Sequence, residues 1–141
     1  FEATLGLNTA LGKFTLKQNA NYAYTASTNI KTNNELDNSI DKQLIYVPFH
    51  KFNYTLGATY KNTSIYYNYS YTGLRFISTD NYLYMPAYFI HNASISQQIK
   101  LKKVKLTASF KANNLLNQDY QAMAYRAMPG RNFLFSISLG L

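Results

Sequence analysis

The chain has 141 residues and a formal net charge of +8, yet only 14% of its residues are charged while 16% are aromatic. It contains no Cys, which excludes a disulfide framework and a thiolate metal site. No apolar run approaches the ~20 residues that a membrane-spanning helix needs, so a helical membrane protein is excluded as well. A net charge of +8 usually suggests an anionic partner, but the Lys residues are scattered through turns and along one strand face. This distribution favours solvated surface charge over an anionic partner, and we expect no nucleic-acid partner.

Segments that alternate apolar with polar side chains run through the whole chain, and this period of two is typical of strands with two different faces. The fifth segment is the least regular, because His91 and Gln97 fall on its apolar face. The seven predicted strands occupy residues 1–8, 14–25, 52–60, 64–72, 89–99, 104–113 and 132–141.

The connections between these segments are alternately short and long. Most of the strands reach the ~9–11 residues that a tilted transmembrane strand needs. Hairpin-linked antiparallel strands, with tight turns on one side and long loops on the other, are the pattern of an outer-membrane β-barrel. The short turns are predicted at 11–13, 61–62 and 100–103, and the long loops at 29–43, 78–86 and 114–131.

The two faces of the predicted strands differ in charge. The apolar face carries almost none, whereas Glu2, Lys17, Lys105 and Lys111 lie on the opposite face among many Ser, Thr and Asn residues. An apolar face toward lipid and a polar face toward a water-filled or plugged lumen would explain this division. The alternative is a soluble β-protein whose apolar face packs against a second sheet.

The last segment shows the alternation most clearly. We expect its large apolar side chains to face lipid, while Ser136 and Ser138 between them face the lumen. The apolar set is Phe133, Phe135, Ile137, Leu139 and Leu141.

Two motifs precede this last strand: Asn-Leu-Leu-Asn-Gln-Asp-Tyr at residues 114–120 and Met-Pro-Gly-Arg-Asn-Phe at 128–133. In this order they resemble the C-terminal end of TonB-dependent outer-membrane transporters. One departure is the last residue, which is usually aromatic in that family and is Leu141 here. The positions that carry the resemblance are Asn114, Leu115, Tyr120, Pro129, Gly130 and Arg131.

The resemblance implies an all-β antiparallel barrel of about 22 strands with an N-terminal plug domain, of which seven strands are roughly a third. We therefore expect residues 1–141 to be the C-terminal part of the barrel, with the plug and the other strands outside this chain. An integral position in the bacterial outer membrane is implied, in contact with lipid and lipopolysaccharide, and so is coupling to the TonB complex through the plug. The Asn-, Lys- and Tyr-rich composition is similar to that of Bacteroidota proteins.

The implied function is energy-driven import of a scarce nutrient into the periplasm. The second motif is more similar to the metal-chelate branch (siderophore, haem or cobalamin) than to the starch-utilisation branch, and a surface lipoprotein is a further candidate partner. Two alternatives stay open: a passive porin, which would lack a plug, and an outer-membrane enzyme, which would need a catalytic set at the barrel mouth. His50 and His91 have no supporting ligand pattern, so we predict no catalytic residue, metal site or cofactor.

Two of the long loops combine aromatic rings with Arg. Such residues suit a flat, anionic chelate, through stacking and charge-assisted hydrogen bonds. The competing interpretation is that the Tyr residues form the outer aromatic girdle and that Arg131 fixes the start of the last strand. The candidate ligand-binding residues are Tyr82, Tyr84, Tyr120, Tyr125 and Arg126.

Overall fold

The computed structural model describes residues 1–31, 38–102 and 104–140, and all regular structure in these ranges is β-strand. None of the described residues belongs to a helix with the length and apolar character needed to cross a membrane. The nine strands are β1 (Glu2–Leu11), β2 (Phe14–Tyr24), β3 (His50–Tyr60), β4 (Thr63–Thr72), β5 (Arg75–Phe76), β6 (Tyr84–Met85), β7 (Tyr88–Leu101), β8 (Val104–Asn113) and β9 (Asn132–Gly140).

Seven of these strands form one antiparallel sheet in the order β1-β2-β3-β4-β7-β8-β9. Each strand of this sheet pairs with its neighbours over most of its length, without a break in register. The predicted all-β antiparallel sheet and its seven strands are therefore confirmed. Within the described residues β1 and β9 each have a partner on one side only, so these strands do not close a barrel by themselves.

The irregular fifth segment forms an unbroken strand, β7, with His91 and Gln97 on the apolar face as its alternation requires. Each polar side chain is paired with a hydroxyl of β4. The Tyr67 hydroxyl lies 2.5 Å from His91 Nδ1, and the Thr63 hydroxyl donates to Gln97 Oε1 at 2.5 Å. These pairs satisfy polar atoms that would otherwise be costly to place on an apolar surface.

The register separates charge from apolar surface across the whole sheet. A single cross-strand row on the apolar face connects Ala3, Tyr22, Phe52, Tyr71 and Phe89. No Asp, Glu, Lys or Arg of the seven described strands shares that face. The charged residues of these seven strands all lie on the polar face, and they are Glu2, Lys17, Lys51, Lys100, Lys105 and Lys111.

Little apolar surface is buried inside the chain. The buried hydrophobic side chains among the described residues are Met85, Ile90 and Ala112. The accessible surface is 10229 Å², whereas a compact monomer of this size would expose about 7,500 Å². No second sheet of comparable size covers the apolar face in the described ranges, so a self-contained soluble sandwich does not account for this chain.

The strand ends on the two sides of the sheet differ as the sequence predicts. Tight turns join the strands on one side, which we call the short-turn edge, and long connections join them on the other, which we call the long-loop edge. The predicted loop 78–86 is only partly irregular, because Tyr84 and Met85 form β6, which pairs with β5 in a small hairpin. Such two-residue strands have no detectable period, which explains why the pattern does not reveal them. Residues 32–37 of the first long loop, Lys103 and Leu141 lie outside the described residues.

Candidate functional site

The candidate site lies at the long-loop edge, where the β4–β7 and β8–β9 connections meet. Three groups build it: Arg75 on β5, Tyr88 at the start of β7, and residues 118–121 of the β8–β9 loop. Tyr88 pairs with Thr72 in the register of the polar face, so its side chain lies on the side of the sheet that carries the charges.

Arg75 is the buried cation of this site and is only 3% exposed. Its Nη1 donates to the Gln121 carbonyl at 3.1 Å, and its Nη2 donates to the Pro86 carbonyl at 3.0 Å. Its guanidinium carbon lies 4.7 Å from the centroid of the Tyr88 ring, a cation–π distance. A planar fork that reaches two carbonyls and a ring at once is specific to Arg, and here it ties one connection to the other.

Arg75 is not among the ligand residues predicted from the sequence, whose Arg is Arg126. No local pattern identifies Arg75, because its hydrogen-bond partners are backbone carbonyls 46 and 11 residues away along the chain. Its Nε is buried and has no hydrogen-bond partner among the described residues. The positive charge of the guanidinium is therefore offset by carbonyl dipoles and a ring rather than by a carboxylate.

Tyr120 is the predicted ligand residue that joins this site. Its ring lies 4.8 Å from that of Tyr88, centroid to centroid, and the two planes are tilted by 35°. Burial and the neighbouring Tyr88 raise the pKa of Tyr120 above its ordinary value, so its phenol stays neutral and can donate a hydrogen bond at physiological pH. The two rings form one wall of an open groove of about 500 Å³, which is lined by Pro86, Ala87, Tyr88, Gln118, Asp119, Tyr120 and Gln121.

Asn114, the first residue of the first motif, holds the loop that carries Tyr120. It is 3% exposed and has a left-handed φ of 50°, which Asn tolerates better than most residues. Its Nδ2 donates to the backbone carbonyls of Gln118 at 2.9 Å and Pro129 at 3.4 Å. Its Oδ1 accepts from the backbone N–H of Gln118 at 2.8 Å. The Asn92 side chain accepts from its backbone N–H at 3.0 Å. The Asn114 side chain thus joins Gln118 and Pro129 within the loop, and its backbone N–H joins the start of the loop to Asn92 of the sheet.

The second motif is held by Asn117. Its Oδ1 accepts a hydrogen bond from the Arg131 backbone N–H at 2.8 Å, and a Cβ at Gly130 would lie 3.0 Å from the same atom. Leu115 is anchored by its own N–H, which donates to the His91 carbonyl at 2.8 Å. The contact at Arg131 uses its backbone, while Pro129, Gly130 and Arg131 are all exposed. The motif residues therefore have a structural reason to be present that needs no ligand.

The other predicted ligand residues lie on the outer surface of the loops. Tyr82 is 81% exposed, Tyr84 58% and Tyr125 90%, and none of these rings stacks on another ring of the described residues. Asp80, two residues before Tyr82, accepts hydrogen bonds from the Ser78 hydroxyl and the Tyr82 N–H, which lower the pKa of its carboxyl. The structure brings Tyr120 to the groove but does not bring Tyr82, Tyr84, Tyr125 or Arg126 to its lining. Their role in ligand binding stays a prediction.

No group of three or more His, Asp or Glu side chains is arranged to hold a metal ion within the ranges that the structure describes. His50 and His91 are far apart in the register, and each has its own Tyr partner. The Tyr22 hydroxyl lies 2.8 Å from His50 Nδ1, in the same arrangement as Tyr67 and His91.

The long antiparallel strands, the uncharged apolar face and the loop-edge groove together define an open segment of a β-barrel wall. The family model described as "TonB dependent receptor-like, beta-barrel" matches residues 1–115, and the chain belongs to this family. The predicted membership in the TonB-dependent receptors is thereby confirmed. The matched range covers β1 to β8 and ends within the first motif, so it is independent of the residues around Arg131 that suggest the same family. No curated protein matches the chain.

Membership places the chain in a family of outer-membrane transporters rather than enzymes, whose barrels work with a plug domain and with TonB. In such barrels the short turns face the periplasm and the long loops face the exterior. The groove beside Tyr88 and Tyr120 is then at the outer mouth of the barrel, on its inner side.

Proposed function

We propose that this chain forms wall and outer loops of an active importer for a scarce nutrient, and that the nutrient is a metal chelate such as a siderophore, haem or cobalamin. The observation that carries the proposal is the groove in which the Tyr88–Tyr120 ring pair is backed by the buried cation of Arg75. It places a buried cation directly behind aromatic surface.

The chemistry of the groove suits a flat ligand with anionic groups. Its volume of about 500 Å³ is within the ~300–1,000 Å³ of typical small-molecule sites. The rings offer apolar surface for stacking, and the Arg75 cation, although buried, raises the potential around them. Asp119 at the groove is exposed and accepts hydrogen bonds, so the ligand should also present hydroxyl or amide donors, as many chelates do.

The transport step in this proposal belongs to parts outside this chain. A plug domain and further strands would complete the barrel, and the open strands β1 and β9 would pair with those strands. The loops capture the chelate, and a rearrangement of the plug, driven through the TonB complex, releases it to the periplasm. The residues of this chain bind the ligand at the groove and form part of the barrel wall, and we assign them no catalytic role.

Uptake of labelled chelates by cells that carry the complete receptor tests the proposal. Uptake should saturate and should stop when a protonophore collapses the inner-membrane gradient. Tyr120→Ala should raise the half-saturating concentration several-fold while surface expression stays normal, and Tyr66→Ala, an exposed Tyr on the polar face away from the groove, serves as the control. Uptake that continues linearly in the presence of protonophore would indicate the porin alternative. Saturable uptake that Tyr120→Ala leaves unchanged would remove the groove from the site.

A further inference from the structure

The described acidic residues are confined to one side of the sheet, the side with the long loops, whereas lysines occur on both sides. The described acidic residues, Glu2, Asp41, Asp80 and Asp119, all lie on the long-loop side, and the other two acids, Glu35 and Asp37, fall in the β2–β3 connection of the sequence. The short-turn edge carries no described carboxylate. Its described lysines, which we call the basic edge, are Lys13, Lys61, Lys100, Lys102 and Lys105.

The basic edge is continuous, because backbone and side-chain contacts join its three hairpins. The Lys61 N–H donates to the Lys13 carbonyl at 3.2 Å, which connects the β3–β4 turn to the β1–β2 turn. The Asn62 carbonyl accepts from the Gln98 N–H at 2.8 Å, and Asn62 Nδ2 donates to the Gln98 carbonyl at 3.1 Å. Successive hairpins are two strand spacings, about 10 Å, apart. The lysines therefore form a row along one edge rather than isolated charges.

The fold itself gives no reason for lysines at several of these positions. Lys100 and Lys105 are direct cross-strand partners, and like charges placed directly opposite each other are destabilising. Lys61 and Lys102 have left-handed φ values of 53° and 52°, which Gly or Asn adopt at lower cost. An anion bound beside Lys100 and Lys105 would relieve the repulsion between them.

Large apolar side chains border the basic edge on the lipid-facing side. Leu11 is 70% exposed, Tyr60 52% and Leu101 55%, and all three lie in the register of the apolar face. The Lys61 ammonium lies 5.1 Å from the centroid of the Tyr60 ring. Cations directly beside apolar groups match an amphiphile, whose anionic headgroup meets the lysines while its acyl chains meet the leucines.

We propose that the basic edge binds the phosphate groups of anionic glycerophospholipids in the periplasmic leaflet of the outer membrane. This rests on the orientation of the family's barrels, with short turns toward the periplasm, and not on the proposed substrate. An acidic periplasmic protein could meet the same charges, but the exposed Leu11, Tyr60 and Leu101 favour a lipid.

The test uses the complete receptor in phosphatidylcholine bilayers that contain either spin-labelled phosphatidylglycerol or spin-labelled phosphatidylcholine. The measured quantity is the fraction of each lipid whose motion the protein restricts. Phosphatidylglycerol should be preferred at least about fivefold, the effect of one juxtamembrane lysine. The triple variant Lys13→Gln, Lys61→Gln and Lys102→Gln should lose this preference. The control triple Lys31→Gln, Lys42→Gln and Lys51→Gln removes the same charge at the opposite end and should keep it.

The wild-type receptor provides a second arm that needs no variant, since 1 M salt should abolish the preference by screening. Equal restriction of the two lipids by the wild type, or equal loss in both triples, would overturn the proposal. So would specific retention of an acidic protein by the wild type with no lipid preference. Nutrient uptake is measured separately, so failure of the lipid site and failure of the importer assignment give different results.

Discussion

The hydroxyl of Tyr67 lies 2.5 Å from Nδ1 of His91 across the β4–β7 pair, on the face of the sheet that faces lipid in this family. Tyr22 and His50 repeat the arrangement across β2 and β3. A ring nitrogen that met hydrocarbon without a partner would be costly, and the neighbouring hydroxyl removes that cost. The pairing explains how a barrel wall can carry His on its outer face without leaving a ring nitrogen unpartnered.

Tyr67→Phe should destabilise the complete receptor by ~1–2 kcal/mol, because it leaves His91 Nδ1 without a partner. Adding His91→Phe should restore much of the loss, since removing both polar groups can be close to neutral. Urea unfolding in lipid vesicles measures both changes. Tyr71→Phe is the control. Tyr71 lies on the same face of β4 as Tyr67, but its hydroxyl makes no hydrogen bond to a described residue. A double variant less stable than the Tyr67→Phe single variant would show that the pair does not act as described.

Gly57→Ala should destabilise the receptor through a single neighbour. A Cβ at Gly57 would lie 2.8 Å from Cε1 of Tyr66, its cross-strand partner on the polar face. The half-exposed ring can swing away, so the expected loss is only ~0.5–1.5 kcal/mol. Gly6→Ala on the same face is the control, since its Cβ would meet nothing closer than 3.7 Å. In a Tyr66→Ala background the effect of Gly57→Ala on the urea midpoint should vanish. A penalty that persists there would point to the backbone instead.

Asn114→Ala should loosen the whole β8–β9 loop. It removes three side-chain hydrogen bonds and places a less tolerant residue at a φ of 50°. Loss of buried hydrogen bonds of this kind costs ~1–3 kcal/mol. Limited proteolysis of the receptor in membranes should show faster cleavage within residues 115–131. Asn114→Gly separates the two causes, because it relieves the backbone but lacks the side chain. If Asn114→Gly resisted protease like the wild type, the side-chain bonds would not hold the loop.

Ile137→Arg should strongly impair assembly, because a cation at mid-depth on the lipid face costs ~2–4 kcal/mol. Ile137 pairs with Ala108 on the apolar face, whereas Ser136, one residue earlier, bonds to Ser109 on the polar face. Ser136→Arg should therefore be tolerated. The fraction of receptor that reaches the outer membrane in a heat-modifiable form measures the difference. Equal loss for the two variants would mean that the faces of β9 do not differ in environment.

The strands and their facing are predictable from the sequence because each rests on a local period of two. Even β7, blurred by His91 and Gln97, keeps its register, since the polar side chains find partners on β4 that the pattern cannot show. The small hairpin of β5 and β6 is not predictable, because two residues carry no period.

The candidate site is less predictable than the fold. Tyr120 is found because it belongs to a motif, but its partner Tyr88 looks like an ordinary strand residue. Arg75 is bound by carbonyls distant in sequence, and nothing in its neighbours distinguishes it from an exposed cation. Tyr82 and Tyr125 match the expected composition of a ligand site, yet they lie on the loop surface. Composition identifies the loops but not which of their side chains converge.

Single-Cys labelling of β9 tests the central claim, that the apolar face meets lipid and the polar face lines the lumen. The chain itself has no Cys, so once any Cys elsewhere in the receptor is replaced by Ser, each introduced thiol is the single site of labelling. In the complete receptor, in membranes, a bilayer-soluble thiol reagent should label Phe135→Cys and Ile137→Cys, and a water-soluble maleimide should not. Labelling of Phe135→Cys and Ile137→Cys by the water-soluble maleimide, with Ser136→Cys and Ser138→Cys shielded from it, would reverse the two faces and contradict the account.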